Sequence, residues 1–189
     1  MNKKASRLSN GRQEIRNERR KEKTYGIFVQ KLKGDGTMST TSSFIVKDVT
    51  NNFKDFEEDF FRLYRTLYGD LDQLRFKERL YRHANPLVLL AFSEDQLIGF
   101  KIGYEAEPYR FYSWAGGVHP DFQKHGIGRK LMDTQLEWVE AQGFHSIRTK
   151  ARNTNKGVII LNLLCGYDIM GAYTEDGEPR IMMEKQLNS

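Results

Sequence analysis

The sequence predicts an α/β fold in which a mixed β-sheet carries helices on both faces. Strand and helix patterns follow one another along the chain in the order β-α-α-β-β-β-α-β-α-β-β. Residues 87–92 form a continuously apolar run, which is typical of a strand buried on both faces. A length of 189 residues is sufficient for one such domain with its own core.

The first half of the predicted domain contains four strands and two helices. Residues 43–49 alternate in polarity and predict the first strand. Apolar side chains at three- and four-residue steps then predict a helix that ends at Gly69, with a buried face formed by Phe53, Phe56, Phe60, Leu63, Tyr64 and Leu67. A second helix is predicted over residues 71–84, with Asn85 and Pro86 as its stop. Strands are predicted next over residues 87–92, 97–104 and 109–118.

The second half contains two helices and three strands. A helix is predicted over residues 126–142, with an apolar stripe of Ile127, Leu131, Met132, Leu136, Trp138 and Val139. Residues 145–150 predict a strand, and residues 155–165 predict a short apolar helix that Gly166 ends. The last two strands are predicted over residues 167–173 and 180–187, joined by a loop at residues 175–179.

The basic charge of the chain is concentrated at its N-terminus. Residues 1–37 hold eleven Lys and Arg and four Asp and Glu, a net charge of +7, whereas the remaining 152 residues carry −2. We therefore predict a basic, disordered extension over residues 1–43 and a folded domain over residues 44–189. Three interpretations of the extension stay open: a solvated tail, an arm that binds nucleic acid or another anionic surface, and sequence upstream of a start at Met38.

Composition excludes several classes of protein. A single cysteine, Cys165, rules out a disulfide framework within the chain and a zinc site built from several cysteines. The longest apolar run has six residues, far fewer than the roughly 18 of a membrane span. Because the basic N-terminus also lacks the apolar stretch of a secretory signal, we predict a reduced, cytoplasmic setting.

One segment, residues 118–131, predicts an anion site. It follows a predicted strand and opens a predicted helix, with Gly126 and Gly128 at the entrance. A first helical turn has N–H groups without internal partners and attracts anions. Positive charge is added by Lys124, Arg129 and Lys130. The sequence therefore predicts a site for phosphate or pyrophosphate.

The segment is not a dinucleotide fingerprint, because Leu131 stands where the third glycine is needed, and no P-loop run is present. Val-x-Pro followed by Gln-x-x-Gly-x-Gly instead resembles the acetyl-coenzyme A signature of the GNAT superfamily of N-acetyltransferases. A second match is Asn155 at the start of a helix, with Gly166-Tyr167 eleven residues later. The resemblance covers roughly residues 44–187 and implies the GNAT fold.

The resemblance implies a site for acetyl-CoA, used as co-substrate without a metal. In this family two central parallel strands splay apart, here residues 109–118 and 145–150, and Gly116 and Gly117 would permit the bulge that separates them. The Val118 N–H would stabilise the negative charge that develops on the thioester oxygen. The implied cofactor-binding residues are Val118, Gln123, Lys124, His125, Gly126, Ile127, Gly128, Arg129, Lys130 and Asn155.

Two catalytic candidates follow. A protonated amine needs a base before it can attack, and Glu105, near the end of its strand, is the first choice, with Glu107 the weaker one and a water chain as the alternative. Many family members have a tyrosine seven residues after the motif asparagine as acid for the thiolate. This chain has Asn162 there, which departs from the tyrosine acid of the family. Asn162 is our second catalytic candidate, because its amide could hydrogen-bond the sulfur or a water. His119 and His125 lack further ligands at metal-binding spacing.

The leading hypothesis is an N-acetyltransferase that moves an acetyl group from acetyl-CoA to a primary amine by direct attack in a ternary complex. The first alternative is an acyl-CoA-binding sensor of the same fold, which Asn162 favours. The second is a nucleic-acid-binding protein that uses the basic extension. We expect a small molecule or a protein amine as acceptor and no membrane partner. Nucleic acid is a partner only under the second alternative, and a homodimer stays open.

Overall fold

The computed structural model describes residues 24–28 and 43–187, which form an eight-stranded sheet in the order β1-β2-β3-β4-β5-β6-β8-β7. The strands are β1 Thr24–Phe28, β2 Phe44–Asp48, β3 Ala84–Ser93, β4 Gln96–Glu107, β5 Arg110–Val118, β6 Ser146–Arg152, β7 Asp168–Glu175 and β8 Glu178–Gln186. All neighbouring strands are antiparallel except β5 and β6, which are parallel. The prediction of a mixed sheet is confirmed.

In residues 43–187, four helices cover the sheet: α1 Glu57–Tyr68, α2 Gln73–Arg82, α3 Ile127–Ala141 and α4 Lys156–Leu164. A 3₁₀ turn at Phe53–Phe56 leads into α1, and Asp72 caps α2 by accepting a hydrogen bond from the Arg75 N–H at 3.0 Å. The helix predicted over residues 126–142 is α3, and the whole of its predicted apolar stripe is buried. Helices therefore lie on both faces, as predicted.

Each face of the sheet has its own apolar core. One core joins the sheet to α3 and α4 and includes Phe111, Ile127 and Met183. The other joins it to α1 and α2 and is rich in phenylalanine. Within it, the rings of Phe53, Phe61, Phe76 and Phe100 lie 4.9–5.2 Å from that of Phe60. Such aromatic pairs contribute about 0.5–1.5 kcal/mol each beyond their burial.

Strands β5 and β6 part before they end. Their pairing runs from Arg110 opposite Ser146 to Ser113 opposite Thr149, whereas β5 continues to Val118 and β6 to Arg152. Residues 114–118 of β5 and 150–152 of β6 therefore flank an unpaired gap, which we call the opening. The predicted splay of the two central strands is confirmed.

The bulge that accompanies this parting is not at the predicted glycines. On β5, Ala115 pairs with Ile102 and Ser113 with Gly103, so Trp114 is the extra residue. Gly116 and Gly117 keep regular register with β4. Gly117 has a different reason to be glycine: a Cβ there would lie 2.6 Å from Leu67 Cδ1 at the end of α1. The glycine thus permits a close approach of helix to sheet.

Two predicted boundaries were wrong. Helix α2 ends at Arg82, and Asn85 and Pro86 lie within β3, where the register shifts between Ala84 and Leu87. Pairing with β4 thus begins before the proline. The loop predicted at residues 175–179 is only a two-residue turn, Asp176 and Gly177, with φ of 51° and 76°. Positive φ at both positions is the signature of a type I′ hairpin.

Of the N-terminal extension, the structure describes Ser43 and β1, and β1 pairs antiparallel with β2. The prediction of disorder did not include a strand there. Residues 1–23 and 29–42 lie outside the described part of the chain. The prediction of disorder and the interpretations based on charge therefore stay predictions for these residues.

Candidate functional site

Two backbone N–H groups of β5 face the opening. The His119 N–H donates to the Ile98 carbonyl at 2.8 Å, which marks a hydrogen-bonded pair of the β4–β5 ladder. Because such pairs alternate in an antiparallel ladder, the N–H groups of Gly116 and Val118 point away from β4, toward the side that β6 has left. The carbonyls of the same residues already have partners: Gly116 O accepts from the Tyr68 hydroxyl, and Val118 O accepts from Gln123 Nε2 at 3.1 Å.

Helix α3 begins next to the end of β5. Its N-cap is Gly126, with a left-handed φ of 82°, and no side chain caps the first turn. The first N–H groups of the helix therefore lack protein partners and carry the positive end of the helix dipole. A Cβ on Gly128 would lie 3.6 Å from Leu161 Cδ2 and 3.8 Å from Val118 Cγ2, so Gly128 lies between β5 and α4. This turn can bind an anion such as pyrophosphate.

We call residues 123–130, in the loop before α3 and in its first turn, the cradle. Its side chains differ in exposure and in hydrogen-bond partners. Lys124, with φ of 65°, and His125 are exposed in the loop before α3, and Lys130 is partly buried in its first turn. Ile127 is 2% exposed, so its side chain belongs to the core and only its backbone faces the site. Arg129 is exposed, and its Nε donates to both Asp133 oxygens, at 2.9 and 3.0 Å.

Asn155 is the N-cap of α4, where its Oδ1 accepts from the Val158 N–H at 3.4 Å. Gly166 follows the helix with φ of 82°. The spacing of these two residues is therefore the length of one capped helix. Asn155 thus has a structural role in addition to the predicted contact with the cofactor.

Asn162 is buried on the inner side of α4, and its Nδ2 lies 3.6 Å from Met183 Sδ. The structure therefore packs its amide into the core between α4 and β8. Cys165, at the C-cap of α4, is also buried, and burial raises the pKa of its thiol. A buried thiol with a raised pKa is a poor nucleophile.

Glu105 lies apart from the opening. It pairs with Phe111, at a point where β5 is still paired with β6 through Ile147. Opposite residues of a ladder share a face, so Glu105 shares the Phe111 face of the sheet. Its carboxylate accepts a hydrogen bond from Asn85 Nδ2. The weaker candidate, Glu107, is ion-paired with Arg110.

Several residues beside the opening were not singled out as site residues from the sequence. Tyr104, Tyr112 and Trp114 cluster on the face covered by α2, with Arg79 of α2 against them. We call these four residues the aromatic face. The alternation of aromatic residues along β5 was a signal for Tyr112 and Trp114. Arg79 stands among several charged residues of α2, so nothing in the sequence set it apart.

A lysine lies over the unpaired part of β5. Lys101 pairs with Gly116, and its Cγ would be 3.5 Å from a Cβ at that glycine. Its side chain thus lies directly beside the space that a residue 116 side chain would fill. Burial lowers the pKa of Lys101 to about 8. None of the carboxylates in the described part of the chain forms an ion pair with it.

Within residues 24–28 and 43–187, no three His, Cys, Asp or Glu side chains gather closely enough to hold a metal ion. Likewise, none of the helices described combines the length and apolarity that crossing a membrane requires.

The sequence model of the acetyltransferase (GNAT) family matches residues 52–167. This range includes the opening, α3 and α4. No curated protein matches the chain in sequence.

Many solved structures share the fold at low sequence identity. The chain resembles Ard1 from Thermoplasma volcanium, with 18% identity, a TM-score of 0.64 and coverage of 77% of this chain and 99% of that one. It also resembles the ribosomal-protein-S18-alanine N-acetyltransferase from Escherichia coli, with 18% identity, a TM-score of 0.65 and coverage of 77% of this chain and 95% of that one. A third similar structure is that of yncA from Salmonella typhimurium, which contains its cofactor acetyl-CoA. It has 17% identity, a TM-score of 0.63 and coverage of 77% of this chain and 95% of that one.

Proposed function

The chain belongs to the GNAT family of acetyltransferases, and from this premise we propose that it transfers the acetyl group of acetyl-CoA to a primary amine. The amine attacks directly while both substrates are bound. The observation that carries the proposal is the parting of β5 and β6 beside an uncapped helix N-terminus. A gap lined with free backbone donors can hold an extended thioester, and the helix terminus can hold the phosphates at its other end.

The residues at the opening fit acetyl-CoA, which would supply an acetyl group activated as a thioester. The N–H groups at the start of α3 would bind the pyrophosphate, with Gly126 and Gly128 permitting its close approach. Lys124, His125 and Lys130 would add donors around it. Gln123 would act indirectly, because its amide already ties the loop to the Val118 carbonyl.

The N–H groups of Gly116 and Val118 would serve the reaction itself. When an amine attacks a thioester, negative charge develops on the carbonyl oxygen. A fixed N–H that points at this oxygen stabilises the transition state more than the ground state. Both carbonyls of this stretch are engaged by Tyr68 and Gln123, which holds the strand in place after β6 has parted from it.

The reaction also needs a base for the amine and a way for the thiolate to leave. An attacking amine must lose a proton, and Glu105 remains our proposed base. Because it lies beside the paired part of β5 and β6, away from the opening, it would act through water. Glu175 is a poorer base, because its hydrogen bond with Lys150 holds its pKa below the usual range. The thiolate would leave without a strong acid, because a thiol pKa near 8.5 makes it a tolerable leaving group.

Two-substrate kinetics test the proposal. A panel of primary amines is screened for release of the coenzyme A thiol, and initial rates are then measured over a grid of both substrates. Direct attack in a ternary complex predicts intersecting lines in double-reciprocal plots. Parallel lines would indicate an acetylated enzyme and contradict the mechanism.

An acyl-CoA-binding sensor is the second candidate, favoured by the burial of Asn162 where many family members have an acidic tyrosine. Tight binding of acetyl-CoA with no amine-dependent thiol release across the panel would support the sensor over the enzyme.

A further inference from the structure

An arginine without a carboxylate partner lies in the aromatic face, beside the opening. The Arg79 guanidinium carbon is 4.5 Å from the centre of the Trp114 ring, and its Nε and Nη2 donate to the Tyr104 hydroxyl at 3.1 and 2.8 Å. In the described residues no carboxylate forms an ion pair with Arg79. The ring and the hydroxyl therefore fix the guanidinium, while its other N–H groups stay available for a partner.

The acidic groups in this region are already matched by other cations. Glu175 pairs with Lys150 and with Arg180, the latter at 3.2 Å, and Glu178 pairs with Arg152 at 3.3 Å. Basic side chains outnumber acidic ones: the former are Arg79, Lys150, Arg152 and Arg180, and the latter are Glu175 and Glu178. The region thus has an excess of positive charge that an anionic ligand group would balance.

Arg79 also lies beside the opening, where the proposed reaction needs the acceptor. Trp114, on which it stacks, is the bulged residue directly after the last β5–β6 pair. Across the opening lie Tyr64 and Tyr68 of α1. Burial raises the pKa of both hydroxyls, and the positive charge of Arg152, at the end of β6, acts in the opposite direction. Helices α1 and α2 and the ends of β5 and β6 therefore converge around Arg79.

A second group of the aromatic face lacks a partner. The Tyr112 hydroxyl is buried and forms no hydrogen bond with the described residues. Burial raises the pKa of Tyr112, so the hydroxyl is neutral and can donate. Its ring lies 5.7 Å from that of Tyr104, the residue that holds Arg79. A buried hydroxyl without a partner indicates a ligand group that would meet it.

We infer that the acceptor is a small amine that also carries a carboxylate, as amino acids do, and that Arg79 binds this carboxylate while the amine faces the opening. The inference rests on the proposed acetyl transfer. A guanidinium held in one orientation is suited to bind a carboxylate through two parallel hydrogen bonds. A lysine side chain of a protein has no carboxylate near its amine, so the inference favours small-molecule acceptors.

Matched acceptors test the inference. Amino acids are compared with their amides and with the amines that remain after decarboxylation, and phosphate-bearing amines are compared with the corresponding alcohols. We expect kcat/KM to be about 10- to 100-fold higher with the carboxylate present. Arg79→Gln should remove this preference by lowering kcat/KM for the carboxylate-bearing acceptors and leaving that for the neutral amines nearly unchanged.

Three controls keep the outcome decisive. Arg75→Gln, an exposed arginine on the same helix, should leave the preference intact, and Arg79→Lys should keep part of it. Binding of the amino acids to the protein with coenzyme A is measured by calorimetry, so that the inference is tested even if no turnover occurs. Arg79-dependent binding without transfer would support carboxylate binding by Arg79 and contradict the proposed acetyl transfer.

A higher kcat/KM with neutral or phosphate-bearing amines would overturn the inference. So would an equal fall in kcat/KM for all acceptors in folded Arg79→Gln. Calorimetry would overturn it if amino acids do not bind, or bind equally well to Arg79→Gln.

Discussion

Gly128 stands where the first turn of α3 meets β5 and α4. A Cβ there would have only ordinary contacts, at 3.6 Å or more, so the fold has room for a Cβ at this position. A valine would nevertheless add two methyl groups to the first turn of α3, whose N–H groups we propose bind the pyrophosphate. Gly126 is a less informative position, because its left-handed φ of 82° would strain any other residue.

We predict that Gly128→Val lowers the affinity for coenzyme A by more than about tenfold, a loss of about 1.4 kcal/mol. Calorimetric titration with coenzyme A measures this. The control is Gly171→Val on β7, where a Cβ meets nothing within 4 Å. Undiminished binding by a folded Gly128→Val protein would remove the main argument for the site.

Lys101 should make stability depend on pH. Its pKa is lowered from 10.5 to about 8, so between these values the unfolded chain binds more protons than the folded one, and stability from this group rises with pH. We predict that Lys101→Met is more stable than the parent by about 1–3 kcal/mol at pH 7 and that the difference narrows toward pH 10. Urea unfolding at pH 7 and pH 10 measures the difference in unfolding free energy between the variant and the parent. The same difference at both pH values would contradict a lowered pKa for Lys101.

Substitutions can distinguish the contribution of Glu105, the proposed base, from that of Asn162, which stands where many family members have the acid. Glu105→Gln should lower kcat/KM by about 10²–10⁴ while coenzyme A binding persists, with a smaller loss at high pH, where the amine deprotonates unaided. Asn162→Ala should have a milder effect on turnover, because no strong acid is required. Rates across pH with the best acceptor measure both. An unchanged pH profile in Glu105→Gln would exclude this residue as the base.

At the scale of elements, the site depends on the contact between the end of α1 and the unpaired part of β5. Leu67 approaches Gly117, and the Tyr68 hydroxyl donates to the Gly116 carbonyl. This contact replaces, on one side, the pairing that β6 no longer provides. A change that forces α1 away should therefore reduce stability and disturb the opening together.

Gly117→Ala tests this contact. Its Cβ would lie 2.6 Å from Leu67 Cδ1, and we expect the variant to lose about 1–3 kcal/mol of unfolding free energy. Gly171→Ala, where the space is open, should change stability by no more than about 0.5 kcal/mol. Urea unfolding of both variants measures the difference. Equal stability of the two would show that α1 does not press on Gly117.

The sequence predicted the elements that local patterns define. The apolar stripe of α3 and the apolar run of β3 have clear periods, so their type and approximate place were correct. The bulge at Trp114 was missed because it depends on register between strands, which leaves no local pattern. The turn at Asp176 and Gly177 was missed although Asp-Gly is a strong hairpin signal. The predicted boundary at Asn85 and Pro86 was wrong because pairing with β4 extends past the proline.

At the scale of the whole molecule, the candidate site combines residues distant in sequence. The cradle of α3 is a contiguous motif, so it could be identified from residues 118–131 alone. The aromatic face brings together α2, β4 and β5, and the excess of cations beside it comes from β6 and β8. Such convergence follows from the sheet order, which sequence patterns do not specify. For this reason the cofactor was predicted and the acceptor was not.

The most direct test of acetyl transfer at the opening follows the acetyl group itself. Acetyl-CoA labelled in the acetyl carbon is incubated with the protein and the best acceptor from the screen, and the products are analysed by mass spectrometry. We predict that the label appears on the amine with wild-type protein and falls sharply with Gly128→Val. Label only in free acetate, or transfer that is unaffected by Gly128→Val, would contradict the account.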